Sequence, residues 1–110
     1  VRPYLGVQLS SVNNDFKGKV DIPVDQPTAI VMEVRAGSPA SISGLQKYDI
    51  ILSWDGQAID ATGITAIIGE SMPGDTFQLM IRRVANFDTL EYIDLPITLT
   101  IGVMPDKGLG

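Results

Sequence analysis

The chain has 110 residues, a formal net charge of -5, and neither cysteine nor histidine. A chain of that length suits one domain with a core of its own. The missing residue types exclude a disulfide scaffold, a thiolate zinc site and the commonest general base, and the scattered basic residues form no stripe of the kind nucleic acid demands. No apolar run reaches the roughly 20 residues that span a bilayer, so no direct membrane insertion is expected. No charged-then-apolar leader stands at the start. Val1 is not an initiator methionine, and the chain is expected to be a domain excised from a longer protein.

Residues 4–12, YLGVQLSSV, read as a strand interrupted by Gly6. Glycine inside a strand pattern marks a bulge or a close approach by another backbone. Residues 13–28 are rich in Asn, Asp, Gly and Pro and read as a long loop with room for one helical turn. The run AIVMEV at 29–34 has the length and β-branched content of a buried strand. A short helix follows with explicit ends: Ser38 as N-cap, Pro39 in the first turn, Gly44 as the left-handed exit. Residues 49–54 form a strand that ends in the Asp55-Gly56 turn, and 57–59 return as a short strand.

Ile64, Ile67 and Ile68 place apolar side chains at i, i+3 and i+4, which predicts a helix over 61–71 capped by Asp60 or Thr62. Residues 76–84 and 89–101 read as two further strands, with Pro96 expected at an edge or bulge because it cannot donate to a ladder. Residues 103–110 are expected to be a C-terminal tail. Short strands with two helices and no regular β-α alternation predict an α+β domain built on a curled antiparallel sheet.

The acidic residues Asp15, Asp21 and Asp25 lack the spacing of a calcium loop, and no metal or other cofactor is expected. Ser10 and Ser11 have no histidine to activate them and no nucleophile elbow around them, so no catalytic residue is assigned.

The block GSPASISGLQKYDIILSWDGQAI, residues 37–59, resembles the central signature of PDZ domains. RPYLGVQL, residues 2–9, resembles the opening of the PDZ domains that follow the protease domain in bacterial HtrA-type (Deg) serine proteases. The similarity runs from about Arg2 to about Gly102, and it implies a PDZ domain over 1–102. The implied fold has five to six short strands in a curled, partly open antiparallel barrel, with two helices.

The resemblance also implies a site. Tyr4, Leu5, Gly6 and Val7 would form a carboxylate-binding loop whose backbone N–H groups receive a peptide C-terminus, with Leu5 and Val7 lining the cup. Gln8, Leu9, Ser10 and Ser11 would pair with the peptide as an added strand. Ile64, Thr65 and Ile68 on the helix would form the other wall, leaving Ile67 to the core. Arg2 would steer the carboxylate. The implied function is a non-catalytic peptide-binding module for apolar C-termini, serving substrate recognition or activation of a linked serine protease. Its implied partners are that protease domain and the C-termini of unfolded or unassembled proteins, in an extracytoplasmic location, periplasmic or at the cell surface, with membrane tethering through the parent protein. The alternative is an assembly domain whose groove is filled by its own chain or a neighbouring subunit. Trp54 is expected to pack. Tyr48 stands where the family often has glycine, so the turn before the 49–54 strand is expected to differ.

Overall fold

The computed structural model describes residues 3–103. Arg2 and the tail beyond Val103 lie outside the described residues, and of Pro3, Tyr4 and Val103 only the backbone is described.

Seven strands and three helices follow one another as β1 (Pro3–Tyr4), β2 (Val7–Ser11), α1 (Asn14–Lys19), β3 (Ala29–Val34), α2 (Pro39–Ser43), β4 (Ile50–Trp54), α3 (Ala61–Glu70), β5 (Thr76–Asn86), β6 (Glu91–Thr100) and β7 (Gly102–Val103). Strands β2 to β6 form one open antiparallel sheet in the order β2-β3-β4-β5-β6, and β1 pairs with β7 in a separate two-stranded ribbon. This is the α+β, PDZ-like architecture the sequence implied. Pro96 falls on β6, a sheet edge, where its missing N–H costs no ladder bond. Gly6 does split the 4–12 run, into β1 and β2.

The caps behave as read. The Ser38 hydroxyl accepts from the Ser41 N–H at 3.2 Å, and Gly44 ends α2 at φ 101. The Asp60 carboxylate accepts from the Gly63 N–H at 2.8 Å, which settles the α3 cap on Asp60. Residues 57–59 differ: only an isolated bridge from Trp54 to Gln57 closes the Asp55-Gly56 turn.

The sheet has two covered faces. Alternation along each strand sends Ala29, Val31, Ile51 and Ile81 to one face, where Ala40 of α2 and Ile64 of α3 complete a core with Leu5, Leu99 and Ile101. The other parity sends Ile30, Ile50 and Val84 to the opposite face, where they meet Val12, Phe16, Val20 and Ile22. The 13–28 segment is therefore a cover for the outer face, and it supplies the third helix, α1. Asn13 caps α1 by accepting from the Phe16 N–H at 2.7 Å. Past α1 the chain has no ladder, and Lys17 replaces one: its buried ammonium donates to the carbonyls of Gln26 at 2.7 Å and Val24 at 3.2 Å. Arg82 fastens the same segment to β5, donating to the carbonyls of Val20 at 2.8 Å and Asp21 at 3.0 Å.

Tyr48 overturns one expectation. It adopts the glycine-like geometry directly, at φ 73. The left-handed region costs a side-chain-bearing residue about 1–2 kcal/mol. The turn is fixed from outside: the Tyr48 N–H donates to Val31 O at 2.6 Å, and the buried Asp49 carboxylate accepts from the Gln46 N–H at 2.8 Å. Arg83 grips both oxygens of Asp49 at 2.8 and 2.7 Å and reaches Gly44 O at 2.9 Å. That pairing holds the Arg83 guanidinium above its ordinary pKa, through the hydrogen bond to Asp49.

Candidate functional site

The edge of the sheet at β2 runs alongside α3, which lies against β1 and β2. At the start of this edge, Gly6 sits at φ 82, a conformation that favours glycine. The flanking carbonyls point away from the edge and are tied down. Leu5 O accepts from the Ala40 N–H at the start of α2 at 3.0 Å, and Gly6 O accepts from the Arg35 N–H at 2.8 Å. Among the described residues the amides of Leu5 and Gly6 have no acceptor. Leu5 and Gly6 thus have both carbonyls committed and, among the described residues, both amides without an acceptor.

The side chains around this loop do not all fall where the sequence put them. Leu5 is buried in the inner core, so it contributes backbone to the loop and no lining to a cup. Val7 and Leu9 are half-buried on the inner side of β2, and Gln8, Ser10 and Ser11 are exposed. Ile64 has no exposed surface and belongs to the core between α3 and the sheet. The i, i+3, i+4 spacing does not by itself tell which isoleucine points inward, and it is Ile64 that takes the fully buried position. Ile67 and Ile68 are both half-buried against the same cluster.

With Ile64 fixed inward and about 100° between successive helical residues, Ala61, Thr65 and Ile68 lie to one side of it and Gly63 and Ile67 to the other. The second side is closed by the preceding chain: a Cβ on Gly63 would stand 2.7 Å from Ile59 Cγ1. The Thr65 hydroxyl donates back to Ala61 O at 2.9 Å. Trp54 packs as expected, buried against Phe77 with ring centroids 5.0 Å apart. Among the described residues no group of three or more carboxylates is placed to hold a metal ion, and no helix is long and apolar enough to cross a membrane.

Comparison with known proteins agrees with this geometry. The PDZ domain family model matches residues 3–93. Among curated proteins, a probable periplasmic serine endoprotease DegP-like of Pseudomonas savastanoi pv. phaseolicola is 33% identical over 109 residues, 97% of this chain and 21% of its own length. A protein of the same description from Pseudomonas putida is 35% identical over 107 residues, 96% of this chain and 20% of its own length. The chain thus spans about a fifth of the curated relatives it matches. Among solved structures, the HtrA-type protease AlgWS227A with decapeptide superposes with a TM-score of 0.77 at 19% identity, covering 99% of this chain and 31% of that one. The HtrA3 PDZ domain bound to a phage-derived ligand, FGRWV, superposes with a TM-score of 0.69 at 23% identity, covering 99% of this chain and 93% of that one. The matched module is non-catalytic. By its family match, its sheet topology and its glycine-centred loop at the sheet edge, this chain belongs to the PDZ domain family.

Proposed function

We propose that this domain binds the free C-terminus of an extended peptide between β2 and α3. The observation that carries the reading is the backbone at Leu5 and Gly6: carbonyls committed to Ala40 and Arg35, amides without an acceptor among the described residues. Successive unpaired amides at a left-handed residue make an anion-binding concavity. A terminal carboxylate fits it, and bonds from N–H to a charged oxygen are about twice as strong as neutral ones. The rest of the peptide adds to the open edge of β2 at Gln8–Ser11, a β-strand addition of which PDZ domains are a standing example. Leu9 and Val7 face one side of the added strand, and Ala61, Thr65 and Ile68 supply the other wall. Since the Thr65 hydroxyl is already used by Ala61 O, the wall offers methyl groups. A hydroxyl pressed there would lose water without a partner, at about 1–3 kcal/mol, so apolar residues are favoured at the C-terminus and two positions before it.

Two solved relatives carry peptide ligands by their descriptions, and the curated relatives are named periplasmic serine endoproteases. We infer that this domain serves substrate recognition or activation of a linked serine protease, on the extracytoplasmic side, with exposed C-termini of unfolded or unassembled proteins as its ligands.

Titration calorimetry with Val-Ala-Val as free acid and as C-terminal amide tests the site. The acid should bind saturably and the amide more weakly by roughly 1.5–3 kcal/mol, the scale of a hydrogen bond to a charged group. Equal affinities, or a peptide ending in lysine that binds as well as one ending in valine, would refute it.

A further inference from the structure

A closed ring of contacts surrounds the Leu5–Gly6 loop. Tyr4, the residue before it, pairs with Gly102 in the β1–β7 ribbon. Gly102 lies against Pro39, the first residue of α2, so closely that a Cβ on Gly102 would stand 2.5 Å from Pro39 Cγ. Ala40, next in α2, donates its N–H to Leu5 O at 3.0 Å and so returns to the loop. Neither side of the Gly102–Pro39 contact can yield cheaply. Pro39 Cγ belongs to a ring closed on its own backbone. Gly102 follows Ile101, which is buried, donates to Asp75 O at 2.8 Å and accepts from the Gly74 N–H at 2.8 Å in the turn after α3.

This ring fixes where the loop amides point. Across a trans peptide the C=O and the following N–H point in opposite directions. Leu5 O is held by Ala40, so the Gly6 N–H faces away from α2, and Gly6 O is held by Arg35, so the Val7 N–H faces away from the end of β3. The Ala40 bond is only as well placed as the first turn of α2, and that turn rests on Gly102 through Pro39. We propose that Gly102 and Pro39 are positioning residues for carboxylate binding: the missing side chain at 102 lets the ribbon and α2 close on each other, and that closure aims the loop amides. The inference rests on the groove reading above. Gly102 and Pro39 act through Tyr4 and Ala40 and are assigned no contact with the peptide. Apolar atoms rest about 3.5–4.0 Å apart, so a methyl at 102 pushes ribbon and helix apart by roughly 1 Å. A binding constellation tolerates only about 0.5 Å of misplacement.

Calorimetry on the intact chain tests it, with the ratio of affinities for Val-Ala-Val as free acid and as C-terminal amide for a readout. Gly102→Ala should weaken the acid about tenfold or more, the worth of one hydrogen bond to a charged group, and leave the amide within about twofold. Pro39→Ala removes Cγ, and the remaining Cβ lies 3.7 Å from a methyl at 102, an ordinary contact. The double variant, Gly102→Ala with Pro39→Ala, should therefore fold and recover the parent ratio to within about threefold. Lys17→Met, which unties the outer cover, should lose stability with the ratio unchanged, and so separates aim from general loss of the fold. Should Gly102→Ala fail to fold, Pro39→Ala alone decides: with no ring beneath Gly102 the ratio should fall about threefold, and the double variant, which refills the space, should restore it. An unchanged ratio in every folded single variant, or a double variant that does not fold or does not recover the ratio, would overturn the proposal and leave the groove reading standing. If the parent itself does not distinguish acid from amide, both readings fall together.

Discussion

The two faces of the sheet are held by different means. The inner face is covered by two capped helices, each of which turns an apolar residue toward the sheet. Ala40 and Ile64 lie where the periods of α2 and α3 put them. The outer face is covered by a six-residue helix and an irregular segment, held by polar side chains reaching backbone: Lys17 to Val24 and Gln26, Arg82 to Val20 and Asp21. Periodic elements satisfy their own backbone and need only apolar contact, whereas an aperiodic cover must borrow donors from side chains. The contrast predicts that the inner face fails through cavities and the outer face through lost hydrogen bonds.

The largest effect should come from the inner face. Ile64→Ala empties a fully buried site and should destabilise the domain by about 2–5 kcal/mol in urea unfolding. Ile68→Ala, at a half-buried position, should cost less stability but weaken Val-Ala-Val binding. If the two variants show the reverse order of stability, the assignment of Ile64 to the core and Ile68 to the groove is wrong. A smaller and more local loss should follow at the outer face. Lys17→Met keeps the aliphatic stem but leaves two carbonyls without their charged donor, worth about 1.5–3 kcal/mol. Hydrogen exchange should quicken at residues 20–26 and stay slow in β3 and β4. A uniform change across the chain would erase the distinction between the faces.

The smallest effect is electrostatic. Asp94 pairs with Arg82 through Nε at 2.8 Å, and this hydrogen bond holds the Asp94 carboxyl below its ordinary value, while the Arg82 guanidinium is raised by the same bond. Arg82 also lies over the Tyr92 ring, its guanidinium carbon 4.3 Å from the centroid. A carboxyl with a depressed folded pKa contributes stability above its unfolded value near 3.9, and that contribution disappears as pH falls through the lower folded value. The Asp94 side chain is 42% exposed, so solvent screening leaves about 0.5 kcal/mol or less. Asp94→Asn should therefore be slightly less stable than the parent at pH 7, and the gap should narrow as pH falls below the ordinary carboxylate range. A difference that does not narrow with falling pH would show that the pair acts through packing on Tyr92 instead.

What could be read in advance follows the same division. The caps at Ser38, Gly44 and Asp60 and the β-branched run of β3 are local signals, carried by residues within one turn or one strand, and they appear in the fold as the cap atoms and the strand, although Met32 and Glu33 of that strand are exposed and not buried. The outer cover was unreadable as structure because Phe16 and Val20 stand one helical turn apart while Val20 and Ile22 stand two residues apart, so no single period runs through the segment; only their contact with Ile50 and Val84 gives them a place. Tyr48 misled for a related reason. A bulky residue argues against a left-handed turn locally, but the Asp49–Arg83 pair and the bond to Val31 impose that turn from outside. In the candidate site, Gly6 was legible because a strand has no other use for glycine there. The phase of α3 was not, since three isoleucines within five residues fit more than one inward direction; Ala61, too small to signal anything, went unassigned.

The central claim is that the unspent amides beside Gly6 receive a carboxylate. The most direct measurement is amide proton and nitrogen chemical shifts on titration with Val-Ala-Val as free acid and as C-terminal amide. The account predicts that the acid moves the Leu5, Gly6 and Val7 amide protons downfield, as charged hydrogen bonds form, and that the amide peptide at equal saturation moves them much less while both shift Leu9 and Ser11 alike. Identical shifts at Leu5–Val7 for the two peptides, or none there while other residues respond, would contradict it.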